Sequence, residues 1–283
     1  MSERIWRCRD HVFALGSRTL VMGVLNVTPD SFSDGGLYAD ATGAVAHGAR
    51  MADDGADIVD VGGESTRPGA TPVAAEEELQ RVLPVIEGLR TSRPDLVLSI
   101  DTRNSHVAKE AVAAGASIVN DISGGHDPTM LTVVQEAGAG LVLMHMQGDP
   151  RTMQVEPHYD DVVADVHEFL RERVESAVFA GIAAEYLCVD PGIGFGKELE
   201  HNLALLRAVE RFRDLDVGVM VGASRKRFIG VLTGVEDPAA RVEGSIAAAV
   251  LSAAHGADAV RVHDVTETVR ALRVADALVR DGA

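Results

Sequence analysis

The chain has 283 residues, of which 46% are hydrophobic, and its 26 basic and 43 acidic residues leave a formal net charge of −17. This hydrophobic share predicts a packed globular fold, whereas the acidic surplus argues against nucleic acid or an anionic membrane as a partner. Because no apolar run approaches the roughly 18 residues of a membrane span and residues 1–13 lack the apolar stretch of a signal peptide, we expect a cytoplasmic protein.

The predicted elements begin with an N-terminal arm or hairpin over residues 1–18, with Gly16-Ser17 as its turn. After the arm, one pattern recurs: a helix-forming segment ends, a glycine follows, and an alanine leads into a β-branched strand. Each glycine is predicted to supply the left-handed residue that closes a helix. These glycines are Gly55, Gly115, Gly138 and Gly256. The repeat favours helices alternating with parallel strands that are joined by right-handed crossovers.

Eight strands are predicted after the arm. They cover residues 19–26, 57–62, 97–101, 117–121, 140–145, 186–190, 217–222 and 258–263. Eight βα units in this length predict an α/β fold of the (β/α)8 TIM-barrel type, with residues 19–283 as one catalytic domain. A doubly wound open sheet is the alternative that the same alternation can build. The two cysteines, Cys8 and Cys188, are expected to be buried, reduced thiols.

Polar side chains stand at or just after the carboxyl ends of most predicted strands. They are Asn26, Asp101, Asn120, Asp190, Lys226, Arg261 and His263. A single Asp in such a place is usually a helix cap, but capping does not account for the whole set, and in a barrel these ends surround one mouth. Amide and carboxylate groups suit the edge of a flat heterocycle, Arg261 and His263 suit a phosphate, and Asn26 offers an oxygen ligand to Mg2+. The set therefore predicts a heterocyclic diphosphate as ligand.

Eight motifs resemble those of the dihydropteroate synthase family, in the same order and spacing over roughly residues 20–280. They are MGVLNVTPDSFSDGG (22–36), VDVGGESTRPGA (59–70), SIDT (99–102), NDIS (120–123), LMHMQGDPRTMQ (143–154), DPGIGFGK (190–197), GASRKRFIG (222–230) and RVHDV (261–265). The resemblance implies a TIM barrel that joins (7,8-dihydropterin-6-yl)methyl diphosphate to p-aminobenzoate in folate synthesis. It also implies Mg2+ as cofactor, a homodimer, and inhibition by sulfonamides.

The resemblance further implies roles for the matching residues. Asn26 is expected to hold Mg2+ together with the diphosphate. The expected contacts of the pterin diphosphate are Thr66, Asp101, Asn120, Asp190, Lys226, Arg261 and His263; of these, Asp101, Lys226, Arg261 and His263 are expected to be catalytic. The expected p-aminobenzoate pocket consists of Phe32, Arg67, Pro68, Phe195 and Ser224, with Asp34 on one of the two early loops that close over the site.

These groups also predict a mechanism. Mg2+, Arg261 and His263 can neutralise the charge that develops on the leaving diphosphate, while Asp101 and Asp190 favour a cation on the pterin-methyl carbon. No catalytic base is evident, and the arylamine needs none because it is unprotonated at neutral pH. We therefore expect C–O cleavage to run ahead of attack by the amine. Two alternatives stay open: a pterin-dependent methyltransferase of the corrinoid type, and a pterin-binding protein without turnover.

Overall fold

The structure, a computed structural model, describes residues 4–27, 36–65 and 69–280, except for the side chains of residues 36–40. Its strands are β1 (Ile5–Cys8), β2 (His11–Ala14), β3 (Leu20–Asn26), β4 (Ile58–Gly62), β5 (Val97–Asp101), β6 (Ile118–Asp121), β7 (Gly140–Met144), β8 (Leu187–Asp190), β9 (Gly218–Val221) and β10 (Ala259–Val262). Strands β3 to β10 are parallel and pair in chain order, and β10 closes the barrel onto β3. The predicted TIM barrel is confirmed, the open sheet is wrong, and every predicted strand end agrees to within one residue.

Nine α-helices surround the barrel in the part of the chain that the structure describes. They are α1 (Gly36–Asp53), α2 (Ala75–Ser92), α3 (Ser105–Ala113), α4 (Pro128–Ala137), α5 (Val162–Phe179), α6 (Leu199–Arg207), α7 (Arg227–Thr233), α8 (Val242–Ala254) and α9 (Val265–Val279). The four glycines of the repeat all have positive φ angles, as predicted; Gly138, for example, ends α4 at φ +59°, a conformation that other residues adopt only at a cost. None of these helices is long and apolar enough to cross a membrane.

Side chains along each barrel strand point alternately outward and inward. The outward ones, such as Val59 and Leu98, are fully buried between the strands and the helices. The inward ones near the amino ends, such as Met22 and Ile58, form a second apolar cluster inside the barrel. Towards the carboxyl ends the inward residues become polar. One end of the barrel is therefore filled with apolar side chains, and the other end is lined by polar ones.

The N-terminal hairpin closes the apolar end of the barrel. Trp6 and Cys8 are fully buried against the interior cluster, and the Trp6 indole N–H donates to the Tyr186 carbonyl at 3.2 Å. Both cysteines of the chain are buried and free, as predicted.

The predicted turn of this hairpin at Gly16-Ser17 is wrong. Cys8 pairs with His11, so the turn is formed by Arg9 and Asp10, and Arg9 takes the left-handed conformation at φ +56°. Tertiary contacts hold this unusual residue, because the Arg9 guanidinium donates to the carbonyls of Val112 and Ala116. The presence of Gly16 therefore led to a wrong prediction of where the hairpin turns.

Candidate functional site

The strand register brings three of the predicted site residues to one level at the barrel mouth. Asn26 pairs with Gly62, Gly62 pairs with Asp101, and Asp101 pairs with Asn120. Gly62 has no side chain, and a Cβ there would stand 3.5 Å from the Cβ of Asp101 and 3.8 Å from Oδ1 of Asn26. The space between the Asn26 amide and the Asp101 carboxylate is therefore left open to a ligand.

Arg261 bridges two carboxylates inside this mouth. Its Nε donates to Asp60 Oδ2 at 2.6 Å, and its Nη2 donates to Asp101 Oδ2 at 2.7 Å. Asp60 is fully buried and Asp101 is 8% exposed, so these ion pairs are weakly screened by water. The guanidinium is thus held in a defined orientation before any ligand binds.

Asp60 is a site residue that the sequence analysis missed. Besides Arg261, its Oδ2 accepts a hydrogen bond from Asn120 Nδ2 at 2.9 Å. Asp60 lies two residues before the end of β4, away from the strand ends at which the polar site residues are predicted. The signal was nevertheless present, because a two-residue period places Asp60 on the same inward face as Ile58 and Gly62.

Asp190 and Lys226 lie on the opposite side of the mouth. Around the point where Gly222 would carry a Cβ, Asp190 Oδ2 is 3.5 Å away and Lys226 Nζ is 3.9 Å away. The other oxygen of Asp190 accepts from the backbone N–H of Gly192 at 2.7 Å, which leaves Oδ2 to face the mouth. Gly222 therefore keeps open a space that is bordered by one carboxylate and one ammonium group.

The loop after β8 positions Phe195 over this ammonium group. Lys226 Nζ lies 4.6 Å from the centre of the Phe195 ring and donates to the Ile193 carbonyl. The loop is held from below by Lys197, which is buried, lies 2.8 Å from His145 Nδ1 and donates to the Phe195 carbonyl at 2.9 Å. No role was predicted for Lys197 or His145 from the sequence, and the structure shows that this pair supports the loop that carries Phe195.

Ser224 and His263 form a hydrogen-bonded pair at the ends of β9 and β10. The Ser224 hydroxyl lies 3.1 Å from His263 Nδ1 and accepts from the His263 backbone N–H at 3.3 Å. Burial, together with the nearby charges of Arg261 and Arg225, lowers the pKa of His263 to about 3. Without a ligand the ring is therefore neutral at neutral pH, and in that state it can serve a phosphate through a hydrogen bond.

Burial also changes the ionisation of the central charged groups. It raises the pKa of Asp101 to about 7, with Arg261 opposing the shift and Asp60 adding to it. It lowers the pKa of Lys226 to about 8, against the opposing effect of Asp190. Burial raises the pKa of Asp190 as well. Groups whose pKa values are moved towards neutrality in this way are typical of functional sites.

The remaining predicted residues lie outside the part of the chain that the structure describes. These are Phe32, Asp34, Thr66, Arg67 and Pro68. Across the described ranges, no group of three or more His, Cys, Asp or Glu side chains could hold a metal ion. The half-buried amide of Asn26 is a single neutral ligand, which fits Mg2+ because this ion keeps several waters and is commonly held through substrate phosphates.

Comparison with known proteins points to one family. Residues 22–263 match the model of the pterin binding enzyme family. The dihydropteroate synthase of Escherichia coli K12 is 50% identical over 257 residues, which cover 91% of this chain and 90% of that protein. A structure of Xanthomonas albilineans dihydropteroate synthase with 4-aminobenzoic acid superposes with a TM-score of 0.92 at 50% identity, covering 98% of both chains. A Yersinia pestis dihydropteroate synthase with a sulfonamide drug gives a TM-score of 0.90 at 46% identity, covering 97% of this chain and 98% of that one.

Proposed function

The chain belongs to the dihydropteroate synthase family of pterin-binding enzymes, and we propose that it joins (7,8-dihydropterin-6-yl)methyl diphosphate to p-aminobenzoate, releasing 7,8-dihydropteroate and diphosphate, in tetrahydrofolate biosynthesis. The observation that carries the proposal is the ring of buried charged groups at the barrel mouth, in a chain half identical to a named synthase. Three members of that ring, Asp101, Asp190 and Lys226, border the open space beside Gly62 and Gly222.

The ring suits a pterin because hydrogen-bond acceptors stand on both sides of the mouth, Asp101 beside Gly62 and Asp190 beside Gly222, and the donor Lys226 stands next to Asp190. Asp101 and Asp190 offer carboxylate oxygens to the N–H groups of the heterocycle, and Lys226 offers a donor to its carbonyl. Asn120 adds an amide, which can both accept and donate. A ligand with alternating donors and acceptors on its edge is therefore favoured over an apolar ring of the same size.

The reaction breaks the bond between the pterin-methyl carbon and the ester oxygen that joins this carbon to the diphosphate. The electron pair leaves with the diphosphate, the arylamine nitrogen forms the new C–N bond, and the nitrogen then loses its proton. Arg261 and the neutral His263 can stabilise the departing oxygens by hydrogen bonds. Mg2+, bound by Asn26 and the diphosphate itself, would supply further positive charge at the leaving group.

We propose that this C–O bond breaks before the amine attacks, because carboxylates at the pterin favour a cation and the arylamine, unprotonated at neutral pH, needs no base to act as a nucleophile. Positional isotope exchange tests the order. With p-aminobenzoate absent, an isotope label in the ester oxygen between carbon and phosphorus should scramble into the non-bridging oxygens of the diphosphate. No scrambling, combined with a strong dependence of the rate on the nucleophilicity of substituted anilines, would instead establish concerted displacement.

The p-aminobenzoate side of the site stays a prediction. Phe195 and Ser224 border the same mouth, and Phe32, Arg67 and Pro68 complete the proposed pocket. Sulfonamides should therefore compete with p-aminobenzoate and not with the pterin, and changes at Phe32 or Pro68 should weaken the drugs more than the substrate. Noncompetitive inhibition against p-aminobenzoate would contradict this assignment.

The decisive experiment measures dihydropteroate and diphosphate with each substrate omitted in turn, and with Mg2+ present or chelated. Formation of dihydropteroate that requires both substrates and Mg2+ is expected. Tight pterin binding without turnover under any divalent metal would favour the non-catalytic alternative. Methyl transfer from a methylated pterin would favour the methyltransferase alternative.

We also propose that the protein is a homodimer. The last three α-helices of the described chain, α7, α8 and α9, carry large apolar side chains that are exposed in the single chain. They are Val231, Leu232, Leu251, Val274 and Leu278, each at least 56% exposed. Helices α8 and α9 pack side by side, so their apolar residues are available to cover the same surface of a second copy.

A further inference from the structure

Asp60 holds two groups of the proposed pterin pocket at once. One of its oxygens accepts from Asn120 Nδ2 and from Arg261 Nε. Its other oxygen is buried and has no hydrogen-bond partner among the described residues. An apolar side chain would fill the barrel interior at lower cost than a partly satisfied carboxylate. The acid therefore requires an explanation beyond packing.

The contact with Asn120 determines the orientation of that amide. Asp60 forms an ion pair with Arg261, so its oxygens accept hydrogen bonds and do not donate. The Asn120 NH2 group must therefore face Asp60, because a flipped amide would oppose its carbonyl oxygen to the carboxylate. This leaves the carbonyl oxygen and the second N–H of Asn120 for a ligand.

An amide presented in this way is complementary to an edge with one donor beside one acceptor. In a pterin, the 2-amino group is the donor of such an edge, and the adjacent ring nitrogen that carries no proton is the acceptor. We propose that Asp60 is a positioning residue that fixes the Asn120 amide and thereby makes binding depend on the 2-amino group of the pterin. This inference rests on the proposed function, since it assumes a pterin in the mouth.

The test compares two ligands in two proteins. Dissociation constants are measured for 6-hydroxymethyl-7,8-dihydropterin and for its analogue without the 2-amino group, in the wild type and in Asp60→Asn. A site built for a polar group rejects an analogue that lacks it by as much as roughly 10⁴-fold, and we expect strong discrimination in the wild type. In Asp60→Asn the residue can donate or accept, the Asn120 amide is free to flip, and discrimination should shrink by about 10-fold or more.

Ser99→Ala is the matched control. Ser99 pairs with Asp60 across β4 and β5, is fully buried and likewise has an oxygen without a hydrogen-bond partner among the described residues, so its hydroxyl is bonded to neither Asn120 nor Arg261. Its removal should leave the discrimination unchanged. If Asp60→Asn weakens both ligands by the same factor, Asp60 has only a structural role and the inference is wrong. A wild type that binds neither ligand would instead contradict the proposed function.

A second measurement needs no variant of Asp60. With selective 15N labelling of asparagine, the Asn120 side-chain signals are assigned by their loss in Asn120→Asp, and one of the two N–H protons should exchange slowly with solvent in the ligand-free protein. Rapid exchange of both protons would show that the amide is not held and would overturn the proposal.

Discussion

At the scale of single residues, the site is governed by a small imbalance of buried charge. Three carboxylates, from Asp60, Asp101 and Asp190, face two cations, from Arg261 and Lys226, which leaves one negative charge when all five are ionised. Weak screening inside the mouth makes such a charge effective at short range. The imbalance suits a reaction in which positive charge develops on the pterin-methyl carbon and negative charge departs.

The pKa values of Asp101 and Lys226 predict a bell-shaped pH profile for kcat/KM of the pterin diphosphate. Activity should rise through pH of about 7, as Asp101 loses its proton, and fall above about 8, as Lys226 loses its charge. Because the two groups are coupled through Arg261, the observed values belong to the cluster as a whole. Initial rates between pH 5.5 and 9.5, a range of roughly two units around these values, check this profile.

Asp101→Asn should remove the acidic limb of that profile and lower kcat and kcat/KM together. We expect a loss of about 2–4 kcal/mol in transition-state stabilisation, the size of one preorganised electrostatic contact. Asp121→Asn is the control, because Asp121 is also a buried acid with a raised pKa, and in the described part of the chain its carboxylate accepts hydrogen bonds from the turn at Ser123 and Gly125. Since the charge of Asp121 helps to raise the pKa of Asp101, this variant should keep the acidic limb and move it to lower pH. A limb that persists in Asp101→Asn would show that another group titrates, such as Asp190, whose pKa is also raised, or the substrate.

At the scale of elements, the loop from β9 to α7 is held in a strained form by its neighbours. Arg225 is left-handed at φ +58°, its N–H donates to the Ser245 hydroxyl at 2.9 Å, and its guanidinium pairs with Asp264. Non-glycine residues persist in this conformation only where the surroundings impose it. The left-handed conformation of Arg225 turns the backbone so that its two neighbours, Ser224 and Lys226, lie at the same mouth.

Asp264→Asn should therefore impair catalysis by loosening this loop. Asp264 precedes α9 but makes no side-chain capping bond, so the helix should survive the change. We expect kcat/KM to fall by about 10-fold, as for the loss of a partly buried charge contact. Asp57→Asn is the control. It breaks an ion pair with Arg18 that lies at the amino ends of β3 and β4, at the other end of the barrel from the mouth. Equal kinetic losses in both variants would contradict a local role for the Arg225 pair.

The hairpin should contribute to stability without contributing to catalysis. Trp6→Ala removes a fully buried indole from the closed end of the barrel and should lower the free energy of unfolding by about 3–5 kcal/mol. Urea unfolding measures this loss, and kcat/KM per folded molecule should stay unchanged. Phe13→Ala, at a partly exposed ring 6.1 Å from Trp6, should cost less. A marked rise in KM for Trp6→Ala would show that the two ends of the barrel are coupled.

At the scale of the whole molecule, the exposed apolar residues of α8 and α9 predict assembly. The double variant Leu251→Glu and Leu278→Glu should give a monomer in analytical ultracentrifugation at concentrations where the wild type is a dimer, because charged side chains are unfavourable in the core of an interface. Phe179→Glu is the matched control, since Phe179 is 96% exposed at the end of α5. If both proteins sediment as dimers, another surface forms the interface.

The strand pattern of the sequence by itself determined the eight strands and the grouping of polar residues at their carboxyl ends, and it left a closed barrel and an open sheet as alternatives. This was possible because the strand pattern is local: a helix ends at a glycine such as Gly138, a β-branched run follows, and parallel strands put their carboxyl ends on one side. Their position at strand ends was enough to predict that Asp101 and Asp190 lie at the mouth, where the structure has them.

Only the tertiary structure decided what these residues contact and how they ionise. Asp60 meets Asn120 and Arg261, which lie 60 and 201 positions away in the chain, so its importance depends on barrel register. The neutral state of His263 depends on burial beside cations from other parts of the chain, and the turn at Arg9 depends on distant carbonyl groups. Hydrogen bonding and pKa are set by neighbours in space, which local sequence patterns do not specify.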